Sequence, residues 1–241
     1  MAESGHARNV ERFTQLLSFV TSYGADYAPS NTTITIPNLQ AKITAALAAI
    51  DRVSTAHAGF KLAVNDRENT FANLRPLTTR MVNSFAASGA LQNAVDDART
   101  LKRKIDGKRA KALPQDNPNT PEDESQGNSV SQRSYTQLTE HFDNLIELLD
   151  NSGIYNPNET ELQIGSLQAY STSLKNANTN VINNTTPVSN RRITRDEALY
   201  ADGTGLVDLA GLVKKYVKSL YGADSPQFQQ INGLEFSRPK R

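Results

Sequence analysis

Residues 36–74 read IPNLQAKITAALAAIDRVSTAHAGFKLAVNDRENTFANL, and this stretch decides the fold. Ile36, Leu39, Ile43, Ala46, Ile50, Val53, His57, Phe60, Val64, Arg67, Phe71 and Leu74 succeed one another at alternating steps of three and four. Those steps keep every side chain on one stripe of an α-helix, a coiled-coil-like seam. At about 1.5 Å per residue the helix runs roughly 60 Å.

Working outward, the same series occurs twice. Tyr27, Pro29, Ile34, Ile36, Leu39, Gln40 and Ala41 match Tyr155, Pro157, Leu162, Ile164, Leu167, Gln168 and Ala169 at one constant offset. Residues 16–24 fall on 145–153 with a slip of one. Arg67-Glu68 and Phe71 fall on Arg195-Asp196 and Leu199. Beyond an insertion holding Gly203 and Gly205, Met81-Val82 and Phe85 are paired with Tyr216-Val217 and Leu220. So many ordered matches point to an internal tandem duplication.

Each half opens with an amphipathic helix, carried by Phe13, Leu16, Leu17 and Val20 or by Tyr135, Leu138, Phe142, Leu145 and Leu149. A turn rich in helix breakers follows, with Gly24 and Gly153 placed as helix stops. After the long helix comes a third, using Leu74, Leu77, Met81 and Phe85 or Leu206, Leu209, Leu212, Val213, Tyr216 and Leu220. Each half closes with a shorter piece: residues 90–105 before Gly107, and a helix opened by Ser225-Pro226 and stopped near Gly233. Pro187 lies within the second long helix and predicts a kink or break. The expected fold is all-α: an elongated antiparallel helical bundle with long heptad-patterned helices. Its repeats span 8–111 and 133–241, joined by an acidic, Pro-rich flexible linker at 112–132, with the halves packed as one bundle.

Apolar residues make up 37% and aromatics 7% of the 241 residues, which suits helices burying narrow stripes. A formal net charge of +1 argues against a surface that grips nucleic acid or acidic lipid throughout. The absence of Cys excludes disulfides, thiolate metal sites and Cys nucleophiles. Residues 16–20 are too short and polar-interrupted for a signal sequence, with acidic Glu3 and Glu11 nearby, and no stretch reaches membrane-spanning length. A cytoplasmic protein is expected.

Chemistry-bearing residues are sparse. His6 is read as part of a frayed terminus, His57 as a seam residue and His141 as a first-helix residue. They form no metal set, and no nucleophile–His–acid spacing is visible. No cofactor and no catalysis are therefore expected. Asp202-Gly-Thr-Gly205 lacks the Lys-Ser/Thr of a phosphate loop and reads as an inter-helix loop. Asn31, Asn158, Asn183 and Asn184 begin glycosylation sequons and read as loop asparagines. Arg67 and Arg195 recur at equivalent seam positions; each neighbouring acid, Glu68 or Asp196, lies next along the chain and is not expected to face it. The strongest charge feature is the basic run Arg99, Lys102, Arg103, Lys104, Lys108, Arg109 and Lys111, echoed by Arg238, Lys240 and Arg241. Such a run suits phosphate contact, but Asp96, Asp97 and Asp106 dilute it and no aromatics are interleaved. It reads first as a solvated helix end.

Further motifs carry a resemblance: Tyr-Gly-Ala-Asp-Tyr-x-Pro-x-Asn (23–31), Leu-Gln-Ala-Lys (39–42), Asn-x-Arg-Glu (65–68), Lys-Ile-x-Gly-Lys-Arg (104–109), Tyr-x-Pro-Asn-Glu-x-Glu-Leu (155–162), Thr-Gly-Leu-Val-Asp-Leu (204–209) and Phe-Ser-Arg-Pro-Lys (236–240). In these the chain resembles an uncharacterised family of bacterial all-helical proteins with an internal duplication. The resemblance implies a bacterial, helical, non-secreted protein and supplies no activity. The leading functional expectation is a non-catalytic helical scaffold or interaction module that binds a protein partner or itself. Nucleic-acid or ribonucleoprotein association through residues 99–111 and the basic C-terminus is the alternative, and a membrane-active bundle ranks last.

Overall fold

The computed structural model describes residues 4–108 and 134–239, and among these the fold is all-α. The helices are α1 (Ser4–Ser22), α2 (Ile36–Ala72), α3 (Leu74–Ala87), α4 (Gln92–Asp106), α5 (Tyr135–Asn151), α6 (Ile164–Tyr200), α7 (Leu206–Tyr221) and α8 (Pro226–Asn232). The segments 109–133, which include the expected linker with Arg109 and Lys111, and 240–241 with Lys240 and Arg241 lie outside the described residues.

Helix ends follow local chemistry. Gly24 and Gly153 take φ of 62° and 67°, a left-handed conformation that costs a Cβ-free residue nothing, and each stands just past its helix. Ser134 opens α5 with a reciprocal cap, its hydroxyl accepting from Gln137 N–H while the Gln137 side chain accepts from Ser134 N–H. Ser225 caps α8 by accepting from Phe228 N–H at 3.2 Å, with Pro226 at a position where a missing N–H is harmless.

The turns before α2 and α6 are built alike. Tyr27 is buried and its hydroxyl donates to the Ile34 carbonyl at 2.7 Å; Tyr155 is buried and donates to the Leu162 carbonyl at 3.0 Å. Both carbonyls lie in single 3-10 turns, Thr32–Ile34 and Thr160–Leu162. The helices that follow are both 37 residues long, about 55 Å each.

The expected break at Pro187 does not occur: α6 is helical from Ile164 to Tyr200 with Pro187 inside it. One lost amide donor removes a single bond of the ladder, and Val181, Val188 and Leu199 stay buried on either side. Asn183 and Asn184, expected in loops, are likewise inside α6, whereas Asn31 and Asn158 lie in turns.

Two compact units are formed, one of Met1–Phe60 with Asn184–Arg241 and one of Lys61–Asn183. They are not the sequence repeats. In the first unit Val10, Phe13, Leu16 and Val20 of α1 share a core with Leu206, Leu209, Val213 and Val217 of α7. In the second, Leu74, Leu77, Met81 and Phe85 of α3 share a core with Phe142, Leu145 and Leu149 of α5. Each core thus joins the first helix of one expected repeat to the third helix of the other. Full burial of such a side chain contributes roughly 1.5–3 kcal/mol, so these shared stripes are the main stabilising term in each unit.

The burial pattern also sets the register of the third helices. Leu74, Leu77, Met81 and Phe85 correspond to Leu206, Leu209, Val213 and Val217, all buried, rather than matching Met81 to Tyr216 and Phe85 to the exposed Leu220. A slip of three residues leaves an apolar stripe on the same helix face, so sequence matching alone does not distinguish the two registers.

Candidate functional site

Of the basic run, three of the five described residues are engaged within their own helix. On α4, Arg99 pairs with Asp96 at 2.8 Å, Lys102 with Asp106 at 2.6 Å, and Arg103 donates to the Thr100 hydroxyl at 2.7 Å. Lys104 and Lys108 are exposed at the helix end, where cations meet the partial negative charge of the last carbonyls.

The two seam arginines have different surroundings. Arg67 is half-buried, with its guanidinium carbon 3.9 Å from the centre of the Tyr135 ring, a cation–π arrangement; its Nε has no hydrogen-bond partner among the described residues. Arg195 is buried and donates through Nε and Nη2 to Asp196 Oδ1, at 3.0 and 2.9 Å. The expectation that adjacent acid and base do not meet is therefore wrong here. Their Cβ atoms diverge, but the long guanidinium arm folds back to reach the short carboxylate.

His57 is half-buried beside the Phe60 ring. His141 is buried on α5, and burial first, then the charge of Lys104, hold its pKa below the ordinary 6.5. The Asp202–Gly205 segment is an inter-helix turn: Gly203 N–H donates to Asp208 at 2.8 Å and Gly205 N–H to the Ala201 carbonyl at 2.7 Å. Among the described residues no group of His, Cys, Asp and Glu could hold a metal ion. No described helix is long and apolar enough to cross a membrane.

A polar site that the sequence reading missed lies in the first unit. His6, Asn9 and Arg12 stand three apart on α1 and so share a face. His6 is not frayed: it is 5% exposed, and its Nδ1 lies 2.8 Å from the Tyr200 hydroxyl. Asn9 is 1% exposed and also reaches that hydroxyl, at 3.2 Å. Opposite them α7 supplies Val207, Gly211 and Lys214, again on one face.

Between the two helices runs an extended segment, residues 234–239, which follows α8. Asn9 Nδ2 donates to the Ser237 carbonyl at 2.7 Å, and Ser237 N–H donates to Asn9 Oδ1 at 3.1 Å. Arg12 donates to the Glu235 carbonyl, and Lys214 donates to the carbonyls of Asn232 and Leu234 at 3.0 and 2.6 Å. Burial pushes the Lys214 ammonium below its ordinary 10.5, with the nearby Glu235 opposing. These are bonds to main chain, so they satisfy groups that an extended peptide cannot satisfy for itself.

Side chains of the segment add two anchors. The Phe236 ring meets Phe13 edge-on at 6.4 Å and lies 5.6 Å from Lys214 Nζ. Arg238 donates to the Tyr200 carbonyl at 3.1 Å and pairs with Asp208 and Asp202. The Gly203 amide first, then Arg238, hold the Asp208 carboxyl below its ordinary range. Recesses of about 630 and 590 Å³ flank the segment, one bordered by Arg8, Arg12 and Lys214, the other by Asp196, Tyr200 and Asp202.

The site had one signal in the sequence: polar Asn9 and Arg12 interrupt the face that continues into Val10, Phe13 and Leu16. No protein-family model, curated protein or solved structure matches the chain.

Proposed function

We propose that this chain is a non-catalytic helical interaction module, a scaffold that works by holding peptide segments in the cytoplasm. One observation carries the reading. The polar side chains gathered between α1 and α7, namely Asn9, Arg12 and Lys214, donate to the main chain of an extended segment. That is the chemistry of holding a chain, whereas general acid–base catalysis needs groups poised near the working pH. At this site the Asp208 carboxyl is held down and burial above all pushes the Tyr200 hydroxyl up, both away from neutral pH. The Lys214 ammonium, lowered by burial, is engaged by main-chain carbonyls.

The recurrence of Tyr27 and Tyr155 in the same turn, and of two 37-residue helices after it, supports an origin by tandem duplication. The resemblance to bacterial helical proteins agrees with that origin. The test is affinity capture with the tagged full chain from a bacterial lysate, with and without nuclease. A stoichiometric protein partner that survives nuclease supports the module. Recovery of nucleic acid, with the partners lost on digestion, moves the function to Lys102, Lys104, Lys108 and the rest of the basic run.

A further inference from the structure

We infer that the groove between α1 and α7 is a recognition site for an extended peptide carrying an aromatic residue two positions before an arginine, and that residues 234–239 occupy it in cis. The inference rests on the interaction-module reading and names its partner chemistry.

Three features of the groove define that chemistry. The side-chain donors of Asn9, Arg12 and Lys214, and the Asn9 acceptor, are spaced to meet the main chain of an extended segment. The Phe13 ring and the Lys214 ammonium receive an aromatic side chain, here Phe236. Asp208 and Asp202 receive a guanidinium, here Arg238. In an extended chain alternate side chains point the same way, so the aromatic and the arginine share a side and Ser237 between them presents its backbone to Asn9.

The second unit shows that the clamp is not a general requirement of the fold. There α5 stands where α1 stands, with Phe142, Leu145 and Leu149 buried like Phe13, Leu16 and Val20. The positions corresponding to Asn9 and Lys214 are Leu138 and Val82, both apolar. Against α3 and α5 lies α4, a 15-residue helix that bonds its own backbone and buries Val95, Ala98 and Ile105. At the two positions of Asn9 and Lys214, the polar side chains that reach a neighbouring main chain occur in the unit whose groove holds the extended segment. That segment also lies at the surface: Glu235, Ser237 and Arg238 are exposed, and Leu234, Phe236 and Pro239 are half-buried.

The experiment uses the full chain and a fluorescein-labelled peptide of residues 232–241, NGLEFSRPKR, followed by anisotropy. In the wild-type chain the tethered segment competes at an effective concentration on the order of millimolar. The F236A/R238A chain removes that competition and is expected to bind the peptide at least about tenfold more tightly than wild type. A peptide bearing the same two substitutions is expected to bind neither chain, and adding N9A to the variant chain is expected to weaken binding about tenfold. If F236A/R238A retains its helical circular dichroism yet leaves the peptide unbound, or binds both peptides equally, the inference is wrong. Should that variant lose its helical signal, R238A alone, which removes the exposed pairs with Asp208 and Asp202, carries the same test with an expected gain of about threefold. No gain there overturns the inference equally. Capture of a nuclease-resistant protein partner alongside a failed peptide test would sink the groove assignment and leave the module reading standing; failure of both sinks both.

Discussion

The carboxamide of Asn9 brackets the main chain of Ser237, donating to its carbonyl at 2.7 Å and accepting from its amide at 3.1 Å across 228 residues of sequence. A side-chain amide is the nearest chemical copy of a peptide group, so this pair substitutes for the two bonds that a neighbouring strand would make. Removing it should loosen the C-terminal segment without unfolding the helices around it.

Asn9→Ala is expected to cost about 1–2 kcal/mol, the usual range for losing hydrogen bonds at a partly buried site. The Ser237 amide should exchange with solvent at least about tenfold faster, a factor worth roughly 1.4 kcal/mol, while amides of α7 keep their protection. Asn9→Asp keeps the acceptor for Ser237 N–H but buries a carboxylate against the Ser237 carbonyl, so it should cost at least as much as Asn9→Ala. Hydrogen exchange combined with urea unfolding reads both effects. An unchanged Ser237 rate would show that the bracket contributes nothing in solution.

Tyr27→Phe and Tyr155→Phe should each destabilise by about 1 kcal/mol, because each strands one carbonyl in a buried turn of the same design. Both phenols also predict alkaline sensitivity. Burial is the main reason that Tyr155 is pushed from its ordinary 10.0 up to about 12, and it raises Tyr27 as well. A group whose pKa is raised by folding contributes its full stability below the unfolded value and loses it as pH climbs through the folded value. Urea midpoints should therefore be flat with respect to these groups below pH 10 and fall between about 10 and 12, less so in Tyr155→Phe. Ultraviolet titration of the phenolates, run in parallel, would disprove the assignment if all tyrosines ionised together near 10.

Two glycines six positions apart, one before α7 and one within it, should respond in opposite directions. A Cβ at Gly205 would lie 2.6 Å from the Ala201 nitrogen and 2.7 Å from its carbonyl oxygen, both backbone atoms, so Gly205→Ala must move the turn before α7. A loss of about 1–3 kcal/mol is expected, as for other overpacked sites. At Gly211, inside α7, a Cβ would meet nothing within 4 Å, so Gly211→Ala should gain about 0.5–1 kcal/mol from backbone entropy. Thermal unfolding of the pair decides the point, since equal effects would contradict the geometry.

Pro187 lies in an uninterrupted helix, and it supplies no amide hydrogen. Pro187→Ala restores that donor and relieves the ring's clash with the preceding turn. It should raise the urea midpoint by an amount corresponding to about 1–3 kcal/mol. A decrease would mean that the surroundings of α6 are fitted to the proline.

Local features were legible before any coordinates. Ser225-Pro226 opens α8, and Gly24 and Gly153 end their helices. Along the α2 seam Leu39, Ala46, Val53 and Phe71 are buried, with Ile43, Ile50, His57, Phe60, Val64 and Arg67 half-buried. Less legible were features that depend on reach. Arg195 finds Asp196 because its arm is long enough to turn back, which a rule about Cβ directions overlooks. His6 looked like terminal sequence because the Tyr200 hydroxyl that holds it stands 194 residues away.

The sequence by itself determined which segments are helical, where most of them begin and end, and which face of each carries the apolar stripe. Those properties come from interactions between residues three or four apart, and every such pair is written in the order of the chain. Only the tertiary structure decided that α1 shares a core with α7 and α3 with α5, and that Asn9, Arg12 and Lys214 converge on residues 232–237. An apolar stripe is attracted to any other of similar width, so its partner is chosen by the summed packing and polar satisfaction of the whole unit, which no local pattern records.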